Sequence, residues 1–217
     1  YDNVMNKQRE IIYGRRREIL EGVSLKENVL EITRSLIDEM AQHYLADNAS
    51  AQEPDIPGFI NTIKLKFGLE LESLRTEGLS KEQLEEEICQ RLTLAYEEKE
   101  KAMGPDLMQG LMRMVFLQII DSKWKDHLYA MDSLKEGIGL RAYGQRDPLV
   151  EYKREAFDMF SQMIASIEED AVEAIFKLEA AKPERFRGVF SSLPQELSHP
   201  EVAKFEKPQE EPSLIRD

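Results

Sequence analysis

The chain has 217 residues, with 42 acidic and 29 basic side chains and a formal net charge of −13. This length allows one domain with an appendage, or two small domains. The acidic balance argues against nucleic acid as a partner, because non-specific nucleic-acid binding depends on Lys and Arg side chains that neutralise phosphates. The single cysteine, Cys89, excludes an internal disulfide framework and a cysteine-rich zinc site.

The apolar stretches of the sequence are short. The longest, residues 111–120, is interrupted by Arg113 and Gln118, whereas a bilayer-spanning helix needs roughly 20 predominantly apolar residues. The sequence also starts at Tyr1 without an initiator Met and shows no signal peptide, so we expect it to be a piece of a longer protein.

Residues 1–45 predict two helices. The first covers residues 2–21 and is followed by Gly22, where glycine commonly ends a helix. The second begins at Ser24, because Glu27 completes a capping box with it. Its apolar residues recur at helical spacing: Val29, Ile32, Leu36, Met40 and Tyr44.

Residues 46–105 predict a second, more acidic unit, with 13 acidic and 7 basic side chains. Residues 46–58 are rich in turn formers and predict a loop. A second capping box, Ser80 with Gln83, predicts the start of a helix that Gly104 and Pro105 end.

Residues 106–180 predict an antiparallel hairpin of two long helices. Each apolar run extends over about 32 residues, or about 48 Å at 1.5 Å per residue, and the second opens with Asp147 as N-cap and Pro148 at the first helical position. A short connector between them requires the helices to fold back on each other. The first run is Leu107, Leu111, Met114, Leu117, Ile120, Trp124, Leu128, Met131, Leu134 and Ile138. The second is Leu149, Tyr152, Ala156, Phe160, Met163, Ile167, Ala171, Ile175 and Leu178.

The connector of this hairpin, residues 139–146, carries the clearest candidate for function. Gly137, Gly139 and Gly144 are expected to loosen or end the first helix. Residues 135–154 hold five basic and three acidic side chains, so this end is locally positive in an acidic chain. Loops on rigid scaffolds often carry function; the alternative is an ordinary solvated turn. The candidate residues, named here the tip segment, are Leu140, Arg141, Ala142, Tyr143, Gly144, Gln145 and Arg146.

Residues 181–217 contain five of the nine prolines and no apolar periodicity, which is typical of a linker. No hairpin turn of the Asn-Gly type and no long run of period two is present upstream. The predicted fold class is therefore all-α, with long helices, a small helical insertion, the hairpin and an irregular tail.

Motifs for catalysis and metal binding are weak. No phosphate-binding Gly-rich loop occurs in the sequence. Glu39, His43 and Asp47 have the spacing of one helix face, but a solvated face is the better interpretation than a metal site. His127 lies beside an apolar residue of the first run and is expected to make a structural hydrogen bond. Cys89 is expected to be a small buried side chain. We therefore predict no catalytic residue and no cofactor or metal site in this chain.

Two stretches resemble the C-terminal helical region of the SecA family, the ATP-driven motors of bacterial protein secretion. One is residues 1–22, which opens Tyr-Asp-Asn-Val-Met-Asn-Lys-Gln-Arg-Glu. The other is residues 121–160, with Asp-Ser-Lys-Trp-Lys-Asp-His-Leu, Met-Asp-Ser-Leu-Lys-Glu-Gly-Ile-Gly-Leu-Arg and Gln-Arg-Asp-Pro-Leu-Val-Glu-Tyr-Lys-Arg-Glu. The resemblance extends over about residues 1–180.

The resemblance implies a scaffold helix region in residues 1–45, a helical wing in 46–105, a two-helix finger that regulates the ATPase in 106–180 and a C-terminal linker in 181–217. It implies that the tip segment enters the SecYEG channel and that Tyr143 touches the translocating preprotein. The implied partners are the motor domains of SecA, SecYEG, unfolded preprotein and, peripherally, the membrane surface. The implied location is the bacterial cytoplasm and the cytoplasmic face of the inner membrane.

This sequence lacks the nucleotide-binding domains, the preprotein cross-linking domain and the zinc tail of that family, so ATP and Mg²⁺ belong to other parts of the motor. An alternative function is a non-enzymatic oligomerisation module with an inert tip. The spacing of the apolar runs drifts from a strict heptad, which disfavours a long intermolecular coiled coil.

Overall fold

The computed structural model describes residues 1–22, 25–45, 54–71, 74, 78–141 and 147–178, without the side chains of residues 139–141. Six α-helices and no β-strand are present in this part of the chain, which confirms the all-α fold class. Residues 1–180 form one compact unit, and the second unit, residues 181–217, lies outside the described residues. The predicted division into scaffold, wing, finger and linker stays a prediction.

Helix α1 (Asp2–Glu21) ends at Gly22, as predicted. Gly22 has φ of 72°, and its N–H donates to the carbonyl oxygens of Glu18 and Ile19. A side chain at this backbone conformation is strained, so glycine ends the helix here.

Helix α2 (Leu25–Tyr44) has helical apolar spacing, but its buried face is rotated from the predicted one. Leu36, Met40 and Tyr44 are only partly buried, whereas Ile37 and Ala41 are fully buried. The predicted cap at Ser24 lies outside the described residues.

Helix α3 (Ile56–Phe67) was not predicted, and it begins within the stretch expected to be a loop. The Asp55 side chain caps it by accepting from the N–H of Gly58 at 2.9 Å, and a proline lies in its first turn. Phe59, Ile63 and Phe67 recur every four residues and are buried. This cap and this spacing are the sequence signals that the loop interpretation missed.

Helix α4 (Lys81–Met103) confirms the predicted capping box. The N–H of Gln83 donates to Ser80 Oγ at 3.3 Å, and the N–H of Ser80 donates to Gln83 Oε1 at 2.9 Å. The helix ends before Gly104, also as predicted.

Helices α5 (Pro105–Arg141) and α6 (Pro148–Lys177) form the predicted antiparallel pair, which is called the hairpin below. They have 37 and 30 residues, so they are less equal than the predicted 32 each. Glycine at 137 and 139 does not end α5, which continues to Arg141. Ile138 between the two glycines is buried against Tyr152, and this packing offsets the roughly 1 kcal/mol that each helical glycine costs.

The two helices of the hairpin are antiparallel, because contact positions rise along one as they fall along the other. Lys123 of α5 bonds to Ser166 and Asp170, whereas His127 lies 5.7 Å from Phe160 between ring centroids.

The predicted apolar run of α6 is largely buried, but that of α5 is partly wrong. Leu107 and Met114 are 46% and 55% exposed. The first third of α5 instead buries Met108, Met112 and Phe116, because it contacts α1, α2 and α4 as well as α6. No helix of the described residues is long and apolar enough to cross a membrane.

Candidate functional site

Helix α1 lies along the hairpin and contacts both of its helices. Tyr1 contacts Tyr152 edge to face, with 4.4 Å between the ring centroids, and the other end of α1 contacts α5 near Gln109. Helix α1 runs antiparallel to α5 and parallel to α6. The interface between α1 and the hairpin is therefore the candidate site described below.

Gln8 is the buried polar centre of this interface, with 5% of its surface exposed. Its side-chain N–H donates to the backbone carbonyl of Ala156 in α6, with Nε2 and O 3.0 Å apart. Its Oε1 lies 3.0 Å from His127 Nε2 in α5. One side chain of α1 thus bonds to both helices of the hairpin.

The two bonds of Gln8 assign the tautomer of His127. Since the Gln8 amide nitrogen donates to a carbonyl oxygen, its own oxygen faces His127 and accepts, so His127 Nε2 carries the hydrogen. The imidazole stacks on the Trp124 ring, with 5.6 Å between the ring centroids, and lies near Phe160. Burial lowers the pKa of His127, which favours the neutral ring. The predicted structural hydrogen bond of His127 is thereby confirmed.

Ion pairs surround this polar centre. Arg15 Nη1 lies 2.7 Å from Glu168 Oε1 of α6, and Arg16 pairs with Asp121 of α5. Within the hairpin, Lys123 Nζ lies 2.6 Å from Asp170 and 2.7 Å from the Ser166 hydroxyl. All these side chains are about one-third exposed or more, so each pair adds little stability alone but constrains the registry of the helices.

The C-terminal end of α1 is held by two side chains of α5. Arg113 Nε donates to the carbonyl of Ile19 at 3.2 Å, and the Gln109 amide donates to the carbonyl of Gly22 at 3.0 Å. Carbonyls at a helix end lack the usual partner four residues on, so side chains of a neighbouring helix can supply a donor. The positive Arg113 also complements the negative end of the helix dipole.

Helix α6 contacts the α3–α4 region on another face. Phe67 of α3 meets Phe176 edge to face at 5.2 Å, and Lys66 pairs with Glu169 and lies 3.8 Å from Glu173. Helix α3 therefore holds the hairpin in addition to α1, α2 and α4.

The tip segment predicted from the sequence lies almost entirely outside the described residues. Leu140 and Arg141 belong to the last turn of α5, with side chains that are not described, and residues 142–146 are outside the described part. The adjacent Asp147 caps α6 as predicted and accepts from the N–H of Leu149 at 2.8 Å. The role of Tyr143 stays a prediction.

The weak sequence motifs have structural explanations in the described residues. Cys89 is buried, as predicted, and burial raises the pKa of its thiol. His43 is exposed beside Tyr44, and Asp47 lies outside the described part. No group of three potential metal ligands occurs among the described residues.

Sequence reasoning missed Gln8. Glutamine is usually exposed, and nothing in the apolar pattern of α1 distinguishes this residue from its solvated neighbours. Only its position four residues before the buried Ile12 indicates the inward face.

These helices define an all-α scaffold that holds a long helical hairpin. Residues 1–179 match the family described as the SecA Wing and Scaffold domain, and the chain belongs to this family. It is 44% identical over 189 residues to the protein translocase subunit SecA of Pelotomaculum thermopropionicum, which covers 86% of the chain and 21% of that protein.

Other SecA subunits are similar to this chain to a comparable degree. The SecA subunit of Thermodesulfovibrio yellowstonii is 44% identical over 179 residues, 82% of the chain and 20% of that protein. The SecA 1 subunit of Alkaliphilus metalliredigens is 43% identical over 208 residues, 92% of the chain and 22% of that protein. The chain thus spans about a fifth of the length of these relatives.

Proposed function

We propose that this chain is the part of a SecA translocase that carries movement of the motor to the translocating polypeptide through the hairpin. The observation that carries the proposal is the hairpin itself, two antiparallel helices bonded to α1 through Gln8. Closely packed helices resist bending, so a displacement at one end reaches the other. ATP and Mg²⁺ are bound by segments outside this chain, and catalysis takes place there.

The tip segment, residues 140–146, is proposed to contact the SecYEG channel and the unfolded preprotein, with Tyr143 touching the substrate. Tyrosine suits a substrate of varying sequence, because its ring packs on apolar groups and its hydroxyl bonds to polar ones. Arg141 and Arg146 would pair with acidic groups of the channel or with lipid headgroups. This role places the protein at the cytoplasmic face of the inner membrane as a peripheral component.

The hairpin geometry also favours this function over an oligomerisation module. The apolar faces that α5 and α6 turn towards each other are buried within one chain, for example where Met131, Ile138 and Tyr152 pack together. Size-exclusion chromatography with light scattering checks this point, and we expect a monomer at low concentration.

Substitution of Tyr143 in the full-length protein tests the tip. We expect Tyr143→Ala to lower preprotein translocation into SecYEG vesicles and Tyr143→Phe to retain most of it. Tyr129→Ala is the matched control, because Tyr129 is 64% exposed on α5 and is not in the tip segment. Unchanged translocation by Tyr143→Ala contradicts a substrate contact.

Regulation of the ATPase is tested separately. This chain, added in trans to a SecA motor that lacks it, is expected to lower the ATPase rate in proportion to occupancy. No change at saturating chain contradicts the regulatory role and leaves the tip experiment unaffected.

A further inference from the structure

An open apolar groove lies between α1 and α6, on the side of the interface away from α5. Its volume is about 730 Å³. Its apolar lining comes from both helices: Val4, Ile11, Phe157, Phe160 and Ile164. The described contacts of Gln8 and the Arg15–Glu168 pair form part of its lining, whereas the side chains of Ile11 and Phe157 face the open space.

The groove exposes side chains that a solvated helix face seldom carries. Phe157 is 69% exposed and Ile11 is 39% exposed. Contiguous apolar patches on a protein surface typically mark interaction sites, whereas single exposed apolar residues need no explanation. Phe157 and Ile11 line the same groove, so they form a contiguous patch and indicate an interaction site.

The shape of the groove fits an α-helix. Helices α1 and α6 run parallel here, and the groove extends from Asn3 to Arg15 on α1, or about 18 Å at 1.5 Å per residue. That length matches three turns of a helix, whose apolar side chains every three or four residues would fill the space between two packed helices.

The charges at the groove define the chemistry of the partner. Lys7, Arg15 and Lys153 line it with only one carboxylate, Glu168, which pairs with Arg15 at 2.7 Å. Lys7 also pairs with Glu10 at 3.0 Å, so Lys153 gives the first half of the groove its net positive charge, in a chain whose net charge is −13. A partner helix with acidic residues beside its apolar face complements Lys153 and competes with Glu10 for Lys7.

We propose that this groove docks an amphipathic helix with acidic flanks, supplied by the same polypeptide outside residues 1–217. This inference rests on the proposed function, in which the chain works inside a longer SecA motor. About four-fifths of the length of the SecA relatives lies outside the matched region, and covalent linkage gives such a helix a high effective concentration. A second copy and an anionic membrane lack this covalent linkage, so each competes for the groove at a lower effective concentration.

Site-specific photocrosslinking in the full-length protein tests the docking. Benzoylphenylalanine at position 157 is expected to give an intramolecular adduct that migrates as a monomer, and mass spectrometry should place it in an acidic amphipathic helix outside this chain. Position 129 is the matched control, because Tyr129 is similarly exposed on α5 away from the groove. Adducts only to a second copy or to lipid, or a yield equal to that at position 129, overturn the proposal.

Charge reversal gives a second, independent measurement. Lys7→Glu with Lys153→Glu should reduce the adduct yield at position 157 several-fold, whereas Lys125→Glu, on the exposed face of α5, should not. An unchanged yield in the double variant overturns the acidic partner. Repeating the crosslink in a Tyr143→Ala background separates this inference from the proposed tip function, because the adduct at position 157 is expected to persist.

Discussion

Gln8 and His127 meet in the interior of the fold, with Gln8 Oε1 and His127 Nε2 3.0 Å apart. Both side chains are 5% exposed. Their contact is the buried polar centre of an interface that also contains apolar side chains, partly exposed ion pairs and hydrogen bonds at the end of α1. Buried hydrogen bonds have strict distance and direction requirements, so this contact fixes how far α1 can slide along the hairpin.

Removal of the Gln8 side chain should destabilise the fold. Gln8→Ala leaves the Ala156 carbonyl and His127 Nε2–H buried without this partner, so we expect a loss of about 2–4 kcal/mol in the free energy of unfolding. Urea denaturation of the chain measures it. Gln42→Ala is the control, since exposed Gln42 bonds to Asp38 on the same helix, and a loss no larger than in this control contradicts the role of Gln8.

His127 should make stability depend on pH. Burial lowers its pKa in the folded state, so between that pKa and the unfolded value the unfolded chain binds more protons. Stability is therefore full above about pH 6.5 and falls as the pH is lowered towards the folded pKa. We expect the free energy of unfolding of His127→Gln to decrease less than that of wild type when the pH is lowered from 8 to 5. Denaturation at several pH values in this range measures the difference.

The control for this profile is His43→Gln, which removes an exposed histidine from α2. The control variant should follow the wild-type profile. If His127→Gln and wild type lose the same free energy of unfolding on acidification, the interpretation that His127 is buried as a neutral imidazole is wrong.

The Lys123–Asp170 pair should contribute modestly to the hairpin. The two side chains are 33% and 44% exposed, so solvent screens their 2.6 Å contact. A double-mutant cycle with Lys123→Met and Asp170→Asn should give a coupling of about 0.3–1 kcal/mol that decreases at high salt. The exposed pair Arg17–Glu21 provides the comparison, and an equal or smaller coupling for Lys123–Asp170 contradicts a role in hairpin registry.

Tyr96 should destabilise the fold at alkaline pH. It is 1% exposed and its hydroxyl donates to Met112 Sδ at 3.2 Å. Burial first, then the carboxylates of Glu100 and Glu27, raises its pKa to about 12. The stabilisation is present below the unfolded pKa of about 10 and is lost as the pH rises through 12.

Tyr96→Phe should remove this alkaline decrease, at a cost of less than about 1 kcal/mol at pH 7 because thioether sulfur is a weak acceptor. Unfolding free energies from pH 8 to 11 measure the effect, with Tyr129→Phe as the exposed control. A parallel alkaline decrease in Tyr96→Phe and wild type refutes the assignment.

Many helix ends of the fold could be predicted from local sequence signals. Gly22, the Ser80–Gln83 capping box and Asp147 mark helix ends because each satisfies backbone groups with residues a few positions away. Such signals do not depend on the rest of the chain. The hairpin is likewise predictable, because the apolar run of α6 lies on one side of the helix and therefore indicates the side that packs against α5.

The inward face of the first third of α5 could not be read in the same way. Apolar residues there occur in adjacent pairs, such as Leu107 with Met108 and Leu111 with Met112, so two helical stripes fit the sequence. Tertiary contacts with α1, α2 and α4 select the stripe of Met108 and Met112 and leave Leu107 and Met114 exposed. Gln8 is hidden for a related reason, since its partners are distant in sequence.

The placement of α1 has a consequence for the order of folding. Bonds within the hairpin join residues such as Lys123 and Ser166, 43 positions apart, whereas Gln8 finds His127 and Ala156 at separations of 119 and 148. Loop-closure entropy grows with separation, and contacts of low order form faster. During synthesis from the N-terminus, α1 is made before the hairpin, so Ile12 and Ile19 stay without their hairpin contacts until α5 and α6 have formed.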